Sequence, residues 1–160
     1  MQKIVYLHSM SYKSIKSAFQ TIASQYQGSL SFGYGTLNEM NKSDKNYPLV
    51  WWVLPLTVTD PQTNSQQQRY ENWPITLRFV TSTELAKDFD DVDNLYNMTK
   101  TIADGFVYTL MDASDEYTIS TSITKRQLFK VQDDVNIGWE YQFTLQLTPD
   151  IDYCCLPYAN

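Results

Sequence analysis

Apolar and polar residues alternate without a break near the end of the chain. Ile137, Trp139, Tyr141, Phe143, Leu145 and Leu147 interleave with Gly138, Glu140, Gln142, Thr144, Gln146 and Thr148. Successive strand side chains point to opposite faces, so this period predicts a strand with one buried and one wet face. The Thr- and Ile-rich stretch 117–131 precedes it across turn residues 132–136, which predicts a long antiparallel hairpin. Ile75, Leu77 and Phe79 alternate with Thr76 and Arg78 in an earlier strand. Leu30, Phe32 and Tyr34 alternate with Ser31, Gly33 and Gly35 in a shorter one.

Two segments follow the helical period instead. Ile15, Phe19, Ile22, Ala23 and Tyr26 form one stripe of an amphipathic helix predicted over roughly 11–27. Ser9 or Ser11 suits its N-cap, and Gly28 stands where a left-handed C-terminal cap belongs. Val92, Leu95, Tyr96, Ile102, Ala103, Phe106 and Leu110 predict a second helix over 91–111, long enough to cross a sheet. Asp88, Asp90, Asp91 and Asp93 place negative charge at its positive dipole end. Residues 38–46 read as a polar turn, 60–74 as a long polar loop, and 150–160 as an irregular tail. With no repeat, linker or composition break, the expectation is one α+β domain over 1–160. Two helices pack on one face of a mostly antiparallel sheet.

One segment breaks the pattern. Tyr47-Pro-Leu-Val-Trp-Trp-Val-Leu-Pro-Leu56 is apolar throughout, yet far shorter than the ~20 residues of a membrane-spanning helix. As a strand within 47–59 it sends Leu49, Trp51 and Val53 to one face and Val50, Trp52 and Leu54 to the other. Pro48 and Pro55 place it at an edge or interrupt its ladder. Both faces then need cover, from the chain's own core or from a neighbouring subunit. One helix layer leaves a sheet face open, so the run implies assembly. Tyr47, Trp51, Trp52, Tyr70 and Trp73 are the candidate subunit contacts.

Size and charge narrow the classes. At 160 residues and 42% apolar, the chain is long enough for a sizeable core and is not a disordered polymer. A net charge of -6 argues against gripping a phosphate backbone, which takes clustered Lys and Arg. The start, Met1 to His8, shows no cleavable leader pattern, and no membrane contact is expected. The two cysteines, adjacent Cys154 and Cys155, read as reduced thiols, because neighbours bridge only through a strained ring.

The inventory for catalysis is thin. His8 is the single histidine and reads as a surface or cap residue, so no base stands beside a nucleophile. There is no Cys-x-x-Cys or His pair, and the aspartates at 88–93 lack the glycine and terminal glutamate of a calcium loop. Glu140 has no partner carboxylate for glycoside hydrolysis, and Gly33-Tyr-Gly35 is a strand end rather than a phosphate loop. No catalytic, cofactor-binding or metal-binding residue is expected, and hence no enzyme. Trp51, Trp52, Tyr70 and Trp73 read as core and subunit-contact aromatics, with a stacking platform for sugars or bases as the alternative. Arg69, Arg78, Lys125, Arg126 and Lys130 make a small basic spot of the kind found at solvated strand ends.

The order of elements resembles one family. A leading amphipathic helix and a strand are followed by Leu37-Asn-Glu-Met-Asn-Lys-Ser-Asp-Lys-Asn-Tyr47-Pro-Leu-Val-Trp51. The long helix over 91–111 and a closing strand, Trp139-Glu-Tyr-Gln-Phe-Thr-Leu-Gln-Leu147, complete the series. Together they are similar to the tail-terminator and neck-ring proteins of tailed bacteriophages. The Tyr47-Pro-Leu-Val-Trp51 phrase is similar to chains from crAss-like, Bacteroides-infecting phages. The likeness spans roughly residues 11–149 and leaves the 60–73 loop and the cysteine-bearing tail unmatched.

That resemblance implies a tail-terminator-like α+β fold with no enzymatic activity and no cofactor. It implies a closed homo-oligomeric ring at the head–tail junction of a virion, assembled in the host cytoplasm. Its partners would be further copies of itself and neighbouring portal, neck and tail proteins. Genomic DNA would pass through the ring unheld, since an acidic surface repels phosphate. The expected function is therefore a virion structural subunit. The alternative is a glycan- or surface-binding β-rich module that displays exposed aromatics.

Overall fold

The alternating segment forms strand β6 (Asn136–Leu147), which pairs along its whole length with β3 (Glu71–Ser82). Their antiparallel register runs from Glu71↔Leu147 to Ser82↔Asn136. On its other side β6 meets β4 (Tyr117–Ile119) and then β5 (Thr124–Val131), so the predicted hairpin partner is split in two. β2 (Leu49–Val53) pairs antiparallel with residues 77–80 of β3, and β1 (Ser31–Gly35) lies parallel to β2. The computed structural model describes residues 12–42, 46–58, 71–113, 117–120, 122–131 and 136–147. Among them the fold is α+β, a six-stranded mixed sheet with three α-helices. The sheet is mostly antiparallel as expected, with one parallel pair, β1–β2, at its edge, and the expectation of two helices is corrected by a third that intervenes there.

That helix, α2 (Leu37–Lys42), occupies the segment expected as a polar turn. Its start is a reciprocal cap. Thr36 Oγ1 accepts from the Glu39 amide at 3.2 Å, and Glu39 Oε2 accepts from the Thr36 amide at 2.6 Å. Met40, at 1% exposure, holds it down, while its other apolar residue, Leu37, is exposed. Parallel strands need a crossover between them, and α2 supplies it.

β2 is not an edge strand. It lies between β1 and β3, and Pro48 and Pro55 flank it just outside the ladder, where no amide is missed. β3 begins at Glu71, so Asn72 and Trp73 belong to a strand and not to the expected loop. Pro74 is tolerated within β3 because β2 reaches only residues 77–80, leaving that side of the strand open. Tyr70, His8, Cys154, Cys155 and most of the 60–74 loop lie outside the described residues, as does the tail.

Helices α1 (Tyr12–Gln25) and α3 (Phe89–Asp112) share one face of the sheet. Ile15, Phe19, Ile22 and Ala23 of α1 are buried as the stripe predicted, but Tyr26 falls beyond the helix and is half exposed. The left-handed residue after α1 is Ser29 (φ 60°), not Gly28. α3 starts two residues earlier than expected, because Asp88 is its N-cap and accepts from the Asp91 amide at 2.9 Å. At 24 residues it is about 36 Å long at 1.5 Å per residue. Tyr96, Ile102, Ala103, Phe106 and Leu110 are buried, joined by Thr99 and Val107, while Val92 and Leu95 are half-buried. Against these helices pack Val50, Trp52, Ile75, Leu77, Phe79, Tyr141, Phe143 and Leu145.

The opposite face is not uniformly wet. Met40, Leu49, Trp51, Val80 and Leu128 form a second, smaller core there. Gly138 and Glu140, expected on the solvent side of β6, are buried; Gln142 and Gln146 further along are exposed. Among the described residues no helix is long and apolar enough to cross a membrane.

Candidate functional site

The tandem tryptophans point to opposite faces, as the strand period requires, and both are inside. Trp51 is 3% exposed and Trp52 is fully buried. Trp51 lies flat along β1, where Gly33 leaves its face bare; a Cβ at 33 would fall within the indole ring. Its Nε1 donates to the Gly35 carbonyl at 3.1 Å. Trp52 stacks on Tyr12 at 5.0 Å between ring centres and takes Phe19 edge-on at 5.2 Å. Trp73 is also buried, its Nε1 donating to Glu71 Oε2 at 2.9 Å. Tyr47 alone of the four described candidates is well exposed, and its hydroxyl accepts from Asn136 Nδ2 at 2.7 Å.

These positions correct the reason for which the aromatics were chosen. The doubly apolar strand is covered by its own chain: α1 and α3 on one side, α2 and the bare glycines of β1 on the other. No neighbour is needed to shelter Trp51 or Trp52. The signals for that cover were present in Gly33, Gly35 and the Thr36-x-x-Glu39 cap, each too local to reveal what it packs against.

Two carboxylates, Glu140 buried and Asp104 half-exposed, organise the polar residues. Glu140 stands between its direct cross-strand neighbours Arg78 and Arg126. Arg78 Nε lies 2.7 Å from Glu140 Oε2, while Arg126 Nη2 lies 2.9 Å from Oε1, which Gln142 also reaches at 3.0 Å. Sequence reading left Glu140 solvated and the two arginines in a loose basic spot; pairing across β3, β6 and β5 joins them. Replacing Glu140 by leucine should cost about 2–4 kcal/mol, because it leaves two guanidinium groups facing each other across the sheet. Arg126→Met should cost about 1 kcal/mol or less, because Arg126 is largely exposed and Arg78 still pairs the carboxylate. Urea midpoints of the two variants would separate these; equal losses would show that Arg78 is not the dominant partner.

Asp104, on α3, is the second centre. Lys125 Nζ and the Tyr141 hydroxyl each donate to its Oδ1 at 2.6 Å, and Lys100 Nζ donates to Oδ2 at 2.7 Å. Burial pulls the Asp104 carboxyl upward, but the Lys100, Lys125 and Tyr141 hydrogen bonds outweigh it and hold the group at about 2. Burial, then the hydrogen bond and charge of Asp104, push the Tyr141 phenol far above its ordinary value. Asp104 ionises below its ordinary 3.8, so the cluster's stabilisation is complete above about pH 4 and is lost as pH falls through about 2. Carbon-13 titration of the Asp104 carboxyl should give that low midpoint, and Lys125→Met should move it upward. A wild-type midpoint near 3.8 would show that the cluster does not form in solution.

Both carboxylates are thus committed to cationic donors, an arrangement that fixes strands and helix rather than moving protons. Among the described residues no group of three or more His, Cys, Asp or Glu is placed to hold a metal ion. A cavity of about 680 Å³ opens where β1 ends and β3 begins, lined by Tyr12, Tyr34, Leu54, Pro55, Leu56 and Trp73, with Glu39 at its side. Lys16 Nζ lies 3.9 Å over the Tyr34 ring.

These features define an α+β protein with a mixed sheet, two charge-paired carboxylates and an aromatic-lined cavity at the Trp73 end of β3. Compared with known proteins, the chain matches no family model and no curated protein.

Proposed function

We propose that this chain is a structural subunit that assembles with copies of itself, a neck-ring or tail-terminator component at the head–tail junction of a tailed phage. One observation carries the assembly reading. With the tandem tryptophans covered by their own chain, large apolar side chains still stand outside: Phe89 is 89% exposed and Tyr108 72%. Exposed rings of this size favour a protein partner over solvent. The element order quoted above is what suggests a phage ring among self-assembling proteins, with portal-side and tail-side proteins above and below it. The acidic chain suits a ring through which DNA passes unheld.

Sedimentation velocity and negative-stain imaging of the purified chain should show ordered oligomers. Mass spectrometry of purified phage particles from a producing culture should find the chain in stoichiometric amount. Its absence from particles would defeat the virion reading whatever its oligomeric state. The glycan-binding reading has one point in its favour, since Trp73 lines the cavity together with Tyr12 and Tyr34. Quenching of tryptophan fluorescence by an oligosaccharide, at constant oligomeric state, would favour it.

A further inference from the structure

Resting on the self-assembly reading, the geometry points to a specific head-to-tail contact: we infer that Phe89 of one copy seats in the aromatic cavity of the next. Phe89 is the first residue of α3 and is 89% exposed, so its own chain gives it almost no cover. It stands in an acidic surrounding of Glu84, Asp88, Asp90, Asp91 and Asp93 against the single Lys87. The cavity has complementary properties. Tyr34, Leu54, Pro55 and Trp73 line an apolar space of about 680 Å³, ample for a phenyl ring. Tyr12 of α1 joins the lining, and that helix carries Lys13 and Lys16 and no acidic residue, with Lys16 Nζ over the Tyr34 ring. Glu39, the carboxylate beside the cavity, is already tied to the Thr36 amide and hydroxyl.

Position makes the contact intermolecular. Phe89 follows the 3-10 turn Thr83–Leu85 that leaves the Ser82 end of β3, whereas the cavity sits at the Trp73 end of the same strand. A strand of twelve residues spans about 40 Å at 3.3 Å per residue. Knob and hole therefore lie at opposite ends of one subunit and cannot meet within it. Joining different patches on successive copies is a heterologous contact, which closes into a ring when the rotation per subunit permits. A ring subunit needs such a pair of surfaces.

The test places a photo-crosslinking benzoylphenylalanine at position 89 of the full chain and maps crosslinked peptides by mass spectrometry. Crosslinks between copies should fall on the cavity segments, 34–36, 54–56 or around Trp73. Phe89→Ser should weaken association roughly ten-fold or more while leaving the melting curve unchanged, as an exposed ring contributes little to folding. Lys13→Glu with Lys16→Glu should weaken association as well, and Asp90→Lys with Asp93→Lys on the facing copy should restore it. High salt should dissociate the wild-type assembly. Oligomers that persist in Phe89→Ser, or crosslinks that land elsewhere or on a co-purifying protein, would overturn this contact and leave self-assembly standing. A wild-type chain that stays monomeric at every concentration would instead remove the self-assembly reading, and the contact with it.

Discussion

Trp52→Ala is expected to destabilise the folded monomer by about 3–5 kcal/mol, the usual cost of emptying a buried indole site. Trp52 is fully buried, between the stacked Tyr12 ring and the Phe19 edge, under α1. Its neighbours are a helix on one side and paired strands on the other, and neither can collapse far into the vacated volume. For a chain of this length the loss corresponds to a fall in Tm on the order of 10 °C. Trp52→Phe should cost distinctly less. Among the described residues the indole Nε1 has no hydrogen-bond partner, so phenylalanine removes a buried, unsatisfied donor along with the lost volume. Thermal melts at a concentration where the chain is monomeric would measure both variants. Disrupted oligomers with an unchanged melt would instead place Trp52 at a subunit contact.

Gly138→Ala is expected to cost about 3 kcal/mol or more, at the upper end of what overpacking does. Gly138 sits opposite Val80 in the β3–β6 pair, and a Cβ there would run into the Phe79 carbonyl and the Val80 Cα. Those atoms are backbone of β3, so relief requires β3 and β6, the two longest strands, to part. Hydrogen exchange should show lost protection at residues 78–81 and 137–140 before any change in α3. An alanine variant that melts like wild type would mean that β3 and β6 do not approach so closely at this pair.

The sequence pattern conveyed much of this architecture and little of the candidate site. Stripes of apolar residues located α1 and α3, and strict alternation located β3 and β6, because each reports the geometry of a single element. The parallel β1–β2 pair went unseen because its crossover helix has one buried residue, Met40, amid polar neighbours. Glu140 was legible as a strand residue but not as a buried one. Its partners, Arg78 and Arg126, stand 62 and 14 positions away and meet it only through register. Phe89 was passed over for a related reason. It lies outside the α3 stripe, and a single apolar residue among aspartates carries no period.

By itself the sequence determined the apolar stripes of α1 and α3 and the main core-facing residues of β3 and β6, since backbone geometry repeats every 3.6 or 2 residues whatever surrounds it. It also determined the acidic balance and the tandem indoles on opposite faces of one strand. Only the tertiary structure decided what covers those indoles, because cover is a property of segments brought together from far along the chain. Glycines at 33 and 35 make room for Trp51, and α1 closes over Trp52. The same assembly of distant segments set knob and cavity at opposite ends of the subunit, since those ends exist only once β3 has paired with β6.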